Sequence, residues 1–474
     1  MISNLILGCL AVLSLGLTLW QWLVARRFPL HRRVAAPSLS PVPDSGRSDL
    51  THAPCPAPPV LTPGPPVSLL KPLKGCDGAT EECLRSWLTQ QYAGPVEILF
   101  GVAAADDPVC GIVRKLLQEV PGTDAQLILG NDLPGANAKA AKLAELERLA
   151  KHDLIVISDA DVRVPPDFLA NIVAPLCPDP RPQPTADAAG RAVPGGPGTA
   201  QGRAEDCAPD HPYETPGLVC CFYRLANPAT LAMQWEAIAI NADFWSQVLQ
   251  ARSLKALDFA LGAVMAIRRR PLQEIGGFSA LVDCLADDYL LGNRIARSGH
   301  AIAISPVVVD CLAAPMGWAD VWKHQLRWAR TIRVCQPAPY FFSLLSNATL
   351  WPLLWLILKP SAPVAACALV CFIVRVLTAL DLQRRLGQDP DPGGRASARA
   401  RTSPAEGARA DARPPAGPAP LPGSWRYAWL IPLKDLLQAA MWLLAFAGNR
   451  VEWRGQRMRL RSDGTLEPLP GSAS

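Results

Sequence analysis

The spacing of apolar and polar positions divides this chain of 474 residues into membrane-like and sheet-like stretches. Leu5–Val24 carries no charge, and at 1.5 Å per residue it is long enough to cross a hydrocarbon core of about 30 Å. Arg26, Arg27, Arg32 and Arg33 follow at once. No basic stretch precedes the segment and no small-residue cleavage site follows it, so it reads as a retained anchor with its N-terminus outside. A second apolar zone holds Tyr340–Leu358 and Val364–Leu380, joined at Lys359-Pro360-Ser361, and predicts a helical hairpin. Tyr427–Ala447 is apolar too, but Pro432, Lys434 and Asp435 interrupt it, so a full span and an interfacial helix both stay open. Four full spans would put the C-terminus outside. That conflicts with the basic tail of Arg450, Arg454, Arg457, Arg459 and Arg461.

Between these zones the pattern changes period. Val67–Leu70, Val96–Val102, Leu127–Leu129 and Leu154–Ile157 are short apolar runs of strand length. Helical stretches alternate with them at Glu81–Gln90, Asp106–Val120 and Ala138–Lys151. Such order predicts an α/β domain with a mostly parallel sheet covered on both faces, and ligands in these sheets bind at the carboxyl ends of the strands. Further on, Asp287 to Gly299 reads as a helix and Ala301–Val309 as a strand. Leu231–Leu249, with Trp235, Phe244 and Trp245, reads equally as an interfacial helix admitting a lipid or as a buried core helix.

Composition sharpens this picture at four points. Apolar residues make up 50% and charged residues 18%, against about 25% charged in ordinary soluble domains, which excludes wholesale disorder. The chain has 48 prolines, and most of their excess sits in Ala35–Pro66, Pro178–Pro216 and Gln383–Pro422, which read as spacers. The expected organisation is an anchor (1–34), a linker (35–66), a soluble domain (67–335) with an insertion (178–216), a transmembrane hairpin (336–382), a second linker (383–424), and an apolar segment with a basic tail (425–474). A net charge of +5 without a basic stripe argues against a nucleic-acid partner. Fourteen cysteines without a C-x-x-C pair point to a reducing compartment.

Three acidic sites carry candidate chemistry. Asp106-Asp107 and Ser158-Asp159-Ala160-Asp161 each follow an apolar strand, and Asp287-Asp288 opens a helix. A D-x-D on a tight turn after a buried strand can hold a hard cation, Mg²⁺ or Mn²⁺, that shares its shell with substrate phosphates. Acids at a helix start favour the macrodipole and can also serve as a base. Trp318, Trp322 and Trp328 resemble an interfacial belt. The interspersed Lys323, His324, Arg327, Arg330 and Arg333 have the charge to face a diphosphate.

The ordered set of motifs resembles ceramide glucosyltransferase and its bacterial relatives, among them hopanoid glycosyltransferases that add N-acetylglucosamine to bacteriohopanetetrol. The resemblance rests on Val67–Gly75, Asp106-Asp107-Pro108, Asn137-Ala138-Lys139, Ser158–Asp167, Ile275–Phe278, Asp287-Asp288-Tyr289, Arg327-Trp328 and the tail Trp453–Leu460. It implies a GT-A nucleotide-sugar-binding fold with transmembrane helices at the N-terminus and in the C-terminal third. The implied reaction is an inverting transfer from a metal-bound UDP-sugar to a lipid acceptor at a bacterial inner membrane, with the catalytic domain in the cytoplasm. Carried over by position, Asp107, Lys139, Asp159, His324, Arg327 and Trp328 bind the donor, Asp159 and Asp161 hold the metal, and Asp288 is the catalytic base. His324 stands where the wider family has Gln or Arg, which mildly favours a single transfer to a lipid over processive synthesis.

Overall fold

A computed structural model describes residues 2–33, 64–130, 135–177, 215–388, 425–453, 456–461 and 463–469. Most of the linker expected at 35–66, most of the insertion at 178–216 and most of the linker at 383–424 lie outside these residues.

The sheet domain begins as its apolar runs predict. Strands β1 (Val67–Leu73), β2 (Val96–Val102), β3 (Asp124–Leu129) and β4 (Leu154–Ser158) alternate with helices α2 (Thr80–Leu88), α3 (Val109–Glu119) and α4 (Ala138–Leu149), after the N-terminal helix α1 (Ile2–Arg27). All four strands are parallel, with β1 between β2 and β4 and β3 outside β2. Apart from Val96 at the start of β2, the β-branched and leucine side chains of β1, β2 and β4 are buried on both faces, as a sheet covered on each side requires.

The second half of the sheet is mixed. Short β5 (Val162–Arg163) and helix α5 (Phe168–Val173) precede β6 (Leu218–Leu225), helices α6 (Leu231–Ile238) and α7 (Trp245–Leu254), and β7 (Val264–Arg268). Helices α8 (Arg269–Glu274) and α9 (Asp287–Arg297) then lead to β8 (Ile302–Cys311). The order is β3-β2-β1-β4-β7-β6-β8-β5, with β7 antiparallel to β4 and β6. This is a GT-A-like fold with a mostly parallel sheet. Between α6 and α7 the helix widens into a π-turn over Ala239–Phe244. Trp235 and Trp245 are buried inside the protein, so of the two readings of Leu231–Leu249 the buried helix is the one observed.

Helix α10 (Trp318–Cys335) links the sheet to the apolar helices. The uncharged run Tyr340–Leu358 is not one straight helix. It is α11 (Pro337–Ser343) and α12 (Leu350–Leu358), which form a pair bent by 54°. The cause is local: Asn347 Oδ1 accepts from Thr349 N and Leu350 N at 3.2 and 2.9 Å, a side-chain cap that restarts the helix. Helix α13 (Ala362–Gly387) continues past Leu382, where the apolar run was expected to give way to linker. The last helix, α14, is Leu430–Phe446.

Contacts at the helix ends set the relative directions. The basic ends of α1 and α13 meet, with Arg385 Nη2 donating to Arg26 O at 3.0 Å and Trp22 Nε1 to Asp381 Oδ2 at 2.7 Å. At the other end of α1, Asn4 Oδ1 accepts from Trp355 Nε1 of α12 at 2.6 Å. The chain therefore runs away from the sheet domain along α12 and returns along α13. By length and composition α1 and α13 can each cross a membrane, and the bent α11–α12 pair is a third if it counts as one span.

Helix α14 behaves differently. Trp425 ahead of it sits under Arg384 at the returning end of α13, and Trp442 near its far end donates to Tyr340 O at 2.9 Å. The chain beyond it forms β9 (Arg450–Trp453), β10 (Gln456–Leu460) and β11 (Leu466–Pro468), an antiparallel sheet. That sheet docks on the sheet domain: Leu466 N donates to Asp283 O at 2.8 Å and Leu285 N to Gly464 O at 3.2 Å. Val451, Met458, Leu460 and Leu466 bury Leu285. Both ends of α14 thus lie on the domain side, which removes the conflict between four full spans and a basic tail.

Candidate active site

Backbone turns at the carboxyl ends of the parallel strands bring the acids together. Asp107, after β2, accepts from Gly75 N through both oxygens at 3.0 and 2.9 Å and from Val109 N at 3.0 Å. It thereby ties the turn after β1 to the start of α3. Gly75 has φ +66°, a left-handed turn that suits glycine.

Asn137 caps α4, accepting from Lys139 N and Ala140 N at 3.0 and 3.1 Å. Such a cap contributes about 1 kcal/mol. Here it also aims Lys139, whose Nζ lies 2.6 Å from Asp159 Oδ1 and 3.4 Å from Asp287 Oδ2. One ammonium thus bridges the D-x-D turn to the start of α9. Burial works against the Lys139 charge, but Asp159, Asp287 and Asp288 together outweigh it and hold its pKa above the usual lysine value.

The two remaining acids are under pressure. The Asp161 carboxyl opens to solvent yet has protein on most sides, and burial followed by the charge of Asp159 pushes it up to about 6. Burial, then the neighbouring Asp287, likewise raises Asp288 to about 6, with Lys139 opposing. Gly262 leaves the room Asp288 occupies: a Cβ there would come within 2.5 Å of Asp288 Oδ2.

Lys71 lies behind the D-x-D. It is a fully buried lysine in β1 whose Nζ donates to Ser158 Oγ at 3.1 Å and to Asp159 O at 2.8 Å, 5.0 Å from the Trp87 ring. Burial lowers its pKa to about 8. Sequence reasoning used Lys71 only as part of a motif. A lysine inside the mostly apolar run Val67–Leu73 was the available signal.

Among the described residues no three His, Cys, Asp or Glu side chains converge as a metal cage. The pair Asp159 and Asp161 nevertheless suits a hard cation that completes its shell with waters and phosphate oxygens. The raised Asp161 carboxyl, facing a second carboxylate, is the kind of group a bound cation would relieve.

Helix α10 presents two faces. Lys323 reaches Glu452 at 3.6 Å and Arg330 donates to Arg450 O, so this face looks toward the C-terminal strands. Helical spacing sets Arg327 between them. His324, Gln325 and Trp328 lie on the other face: His324 Nδ1 and Gln325 Nε2 meet Glu236 Oε1 at 2.7 and 2.9 Å, and Trp328 packs 6.3 Å from Phe244. His324 and Trp328, expected at the donor, are therefore brought to α6 and the π-turn. The structure unites Lys139, Asp159, Asp161, Asp287 and Asp288, with Asp107 on the adjoining turn.

The model of glycosyl transferase family 21 matches residues 44–180 and 210–466, most of the chain. The chain belongs to glycosyl transferase family 21. The chain is similar to ceramide glucosyltransferase 3 of Caenorhabditis elegans, 24% identical over 51% of this chain and 45% of that protein. The ceramide glucosyltransferase of Komagataella phaffii is 34% identical over 21% of this chain and 20% of its own length. The chain thus spans less than half the length of these relatives. Among solved structures, a mannosyltransferase from Pyrobaculum calidifontis in complex with GDP-mannose and Mn²⁺ matches 81% of this chain and 96% of its own at 21% identity and a TM-score of 0.45.

Proposed function

We propose that this protein is a membrane-anchored inverting glycosyltransferase that moves a sugar from a UDP-sugar to a hydroxyl of a lipid. The observation that carries the reading is the convergence on Lys139 of the D-x-D turn and the start of α9, at the strand ends and beside helices long enough to cross a membrane. Asp288 takes the proton of the acceptor hydroxyl while its oxygen bonds to the anomeric carbon. The bond to the diphosphate breaks and UDP leaves with the electron pair. A carboxylate whose pKa is raised to about 6 is a stronger base than an ordinary surface aspartate. Asp107, Lys139, Asp159 and Arg327 hold the donor. Asp159 and Asp161 would hold Mg²⁺ or Mn²⁺, which would supply charge neutralisation for the diphosphate.

The arginines after α1 support a domain on the cytoplasmic face of a bacterial inner membrane. The resemblance in sequence supports N-acetylglucosamine as the sugar and a hopanoid such as bacteriohopanetetrol as the acceptor. A second reading has its own support in the names of the relatives, ceramide with glucose. Purified protein in detergent, given UDP-N-acetylglucosamine or UDP-glucose with bacteriohopanetetrol or ceramide, separates them by the mass of the product. Transfer to ceramide alone overturns the hopanoid acceptor, and no transfer to any lipid overturns the whole reading.

A further inference from the structure

A buried carboxylate on the membrane-proximal side of the domain plays no part in the donor site. Glu236 in α6 is 1% exposed, while the His324 side chain in front of it is 29% exposed. Glu236 Oε1 accepts from His324 Nδ1 and from Gln325 Nε2. With its hydrogen on Nδ1, the imidazole carries its lone pair on Nε2, and among the described residues Nε2 has no hydrogen-bond partner. The ring is fixed from the side as well. It meets Trp328 edge-on at 4.7 Å, Trp328 packs on Phe244, and Phe244 packs on Tyr223 at 5.4 Å.

Two further observations point to a ligand. Glu236 Oε2 and Trp235 Nε1 are a buried acceptor and a buried donor without partners among the described residues. Unpaired buried groups of this kind destabilise a fold and are retained where a site uses them. The π-turn Ala239–Phe244 begins directly after α6, and such widened turns recur at functional sites. Leu225, Ile240, Val321 and Met441 of α14 surround this node with apolar surface. Tyr289, next to Asp288 in α9, donates to Cys335 O of α10 at 2.9 Å, so the helix that carries His324 abuts the helix that carries Asp288.

We propose that Glu236 and His324 form an acceptor-side pair, in which Glu236 orients the imidazole and His324 Nε2 accepts a hydrogen bond from a hydroxyl of the lipid head group. This rests on the glycosyltransferase reading above, and it moves His324 from the donor to the acceptor. His324 binds the acceptor, and Glu236 is a positioning residue acting through it. A head group rich in hydroxyls and attached to an apolar body is the ligand class that fits both the polar node and its apolar surround.

The test uses the full chain in detergent with bacteriohopanetetrol and ceramide as acceptor probes. Glu236→Gln keeps the shape and removes the carboxylate. The expected result is an acceptor KM raised about tenfold, the worth of one neutral hydrogen bond, with UDP-sugar affinity by calorimetry unchanged. His324→Ala, at a partly open position, gives the same split should Glu236→Gln fail to fold. The double variant is expected to be no worse than His324→Ala alone, because the two act as one unit. Donor affinity falling in step, an unmoved acceptor KM in both variants, or additive losses in the double variant each overturn the pair. Failure of the glycosyltransferase reading shows separately, in a wild-type protein that neither binds UDP-sugar nor glycosylates either probe, and it takes the pair down with it.

Discussion

Two clusters of charge in this molecule are built on opposite principles. Among the apolar helices, Arg375 of α13 donates to both oxygens of Asp435 at 2.8 and 2.7 Å and to Asp243 at 3.0 Å, and Lys434 bonds Asp243. Two cations meet two carboxylates, all four groups are buried, and Thr349 donates a further bond to Asp435 at 2.6 Å. At the strand ends, four carboxylates (Asp159, Asp161, Asp287 and Asp288) face Lys139, with Lys71 engaged behind the turn. The balanced cluster satisfies itself and fastens α13, α14 and the π-turn together. The unbalanced one leaves two carboxyls raised to about 6 and needs positive charge from outside. Surplus, more than burial, sets the candidate site apart.

The largest expected effect falls on the surplus side. Asp288→Asn preserves shape and removes the base, which lowers turnover by a factor of about 10² to 10⁴. The same assignment fixes a pH profile. The base is needed as carboxylate and its pKa is raised to about 6, so turnover falls about tenfold per unit as pH drops below that value and is flat above it. A profile centred near the ordinary aspartate value of about 4 would assign the base elsewhere.

On the balanced side the effect is on stability. Arg375→Met strands Asp435 and Asp243 against Lys434 alone and costs about 3–5 kcal/mol, read as a lowered unfolding midpoint in detergent. Adding Asp435→Leu restores the balance and is expected to recover most of that loss. If the double variant is as unstable as the single one, the cluster is not a self-contained pair of charges. A smaller effect is expected at Gly262. The added methyl of Gly262→Ala meets the Asp288 carboxylate, and a displacement of about 1 Å at a reacting group costs up to about 10² in turnover, with UDP-sugar affinity preserved.

Much of the site was legible because its residues punctuate apolar strands. The run Leu154–Ile157 makes the turn at Asp159 and Asp161 visible, and Asn137 announces a helix that carries Lys139. What stayed hidden depends on three-dimensional closure. Strands β9 to β11 are short and mostly polar, as in Gln456–Leu460, so no apolar run betrayed a sheet docking on Leu285. Glu236 is a single acid in an apolar helix, and its meaning depends on a histidine 88 positions away. The break at Asn347 lies inside an uncharged stretch that hydropathy reads as continuous, because a cap is set by one side chain and not by the average. The reading of His324 as a donor residue came from its place in a motif, while its helix face points to α6.

The claim that surplus acid marks the site is tested most directly by titrating UDP-sugar into the protein by calorimetry at increasing Mn²⁺. The experiment is run on the wild type, on Asp161→Asn and on the balanced variant Arg375→Met with Asp435→Leu. The predicted result is donor affinity that rises with metal in the wild type, loses that dependence in Asp161→Asn, and keeps it in the folded variant of the other cluster. Donor binding that ignores metal in the wild type, or that survives unchanged in Asp161→Asn, would contradict the account.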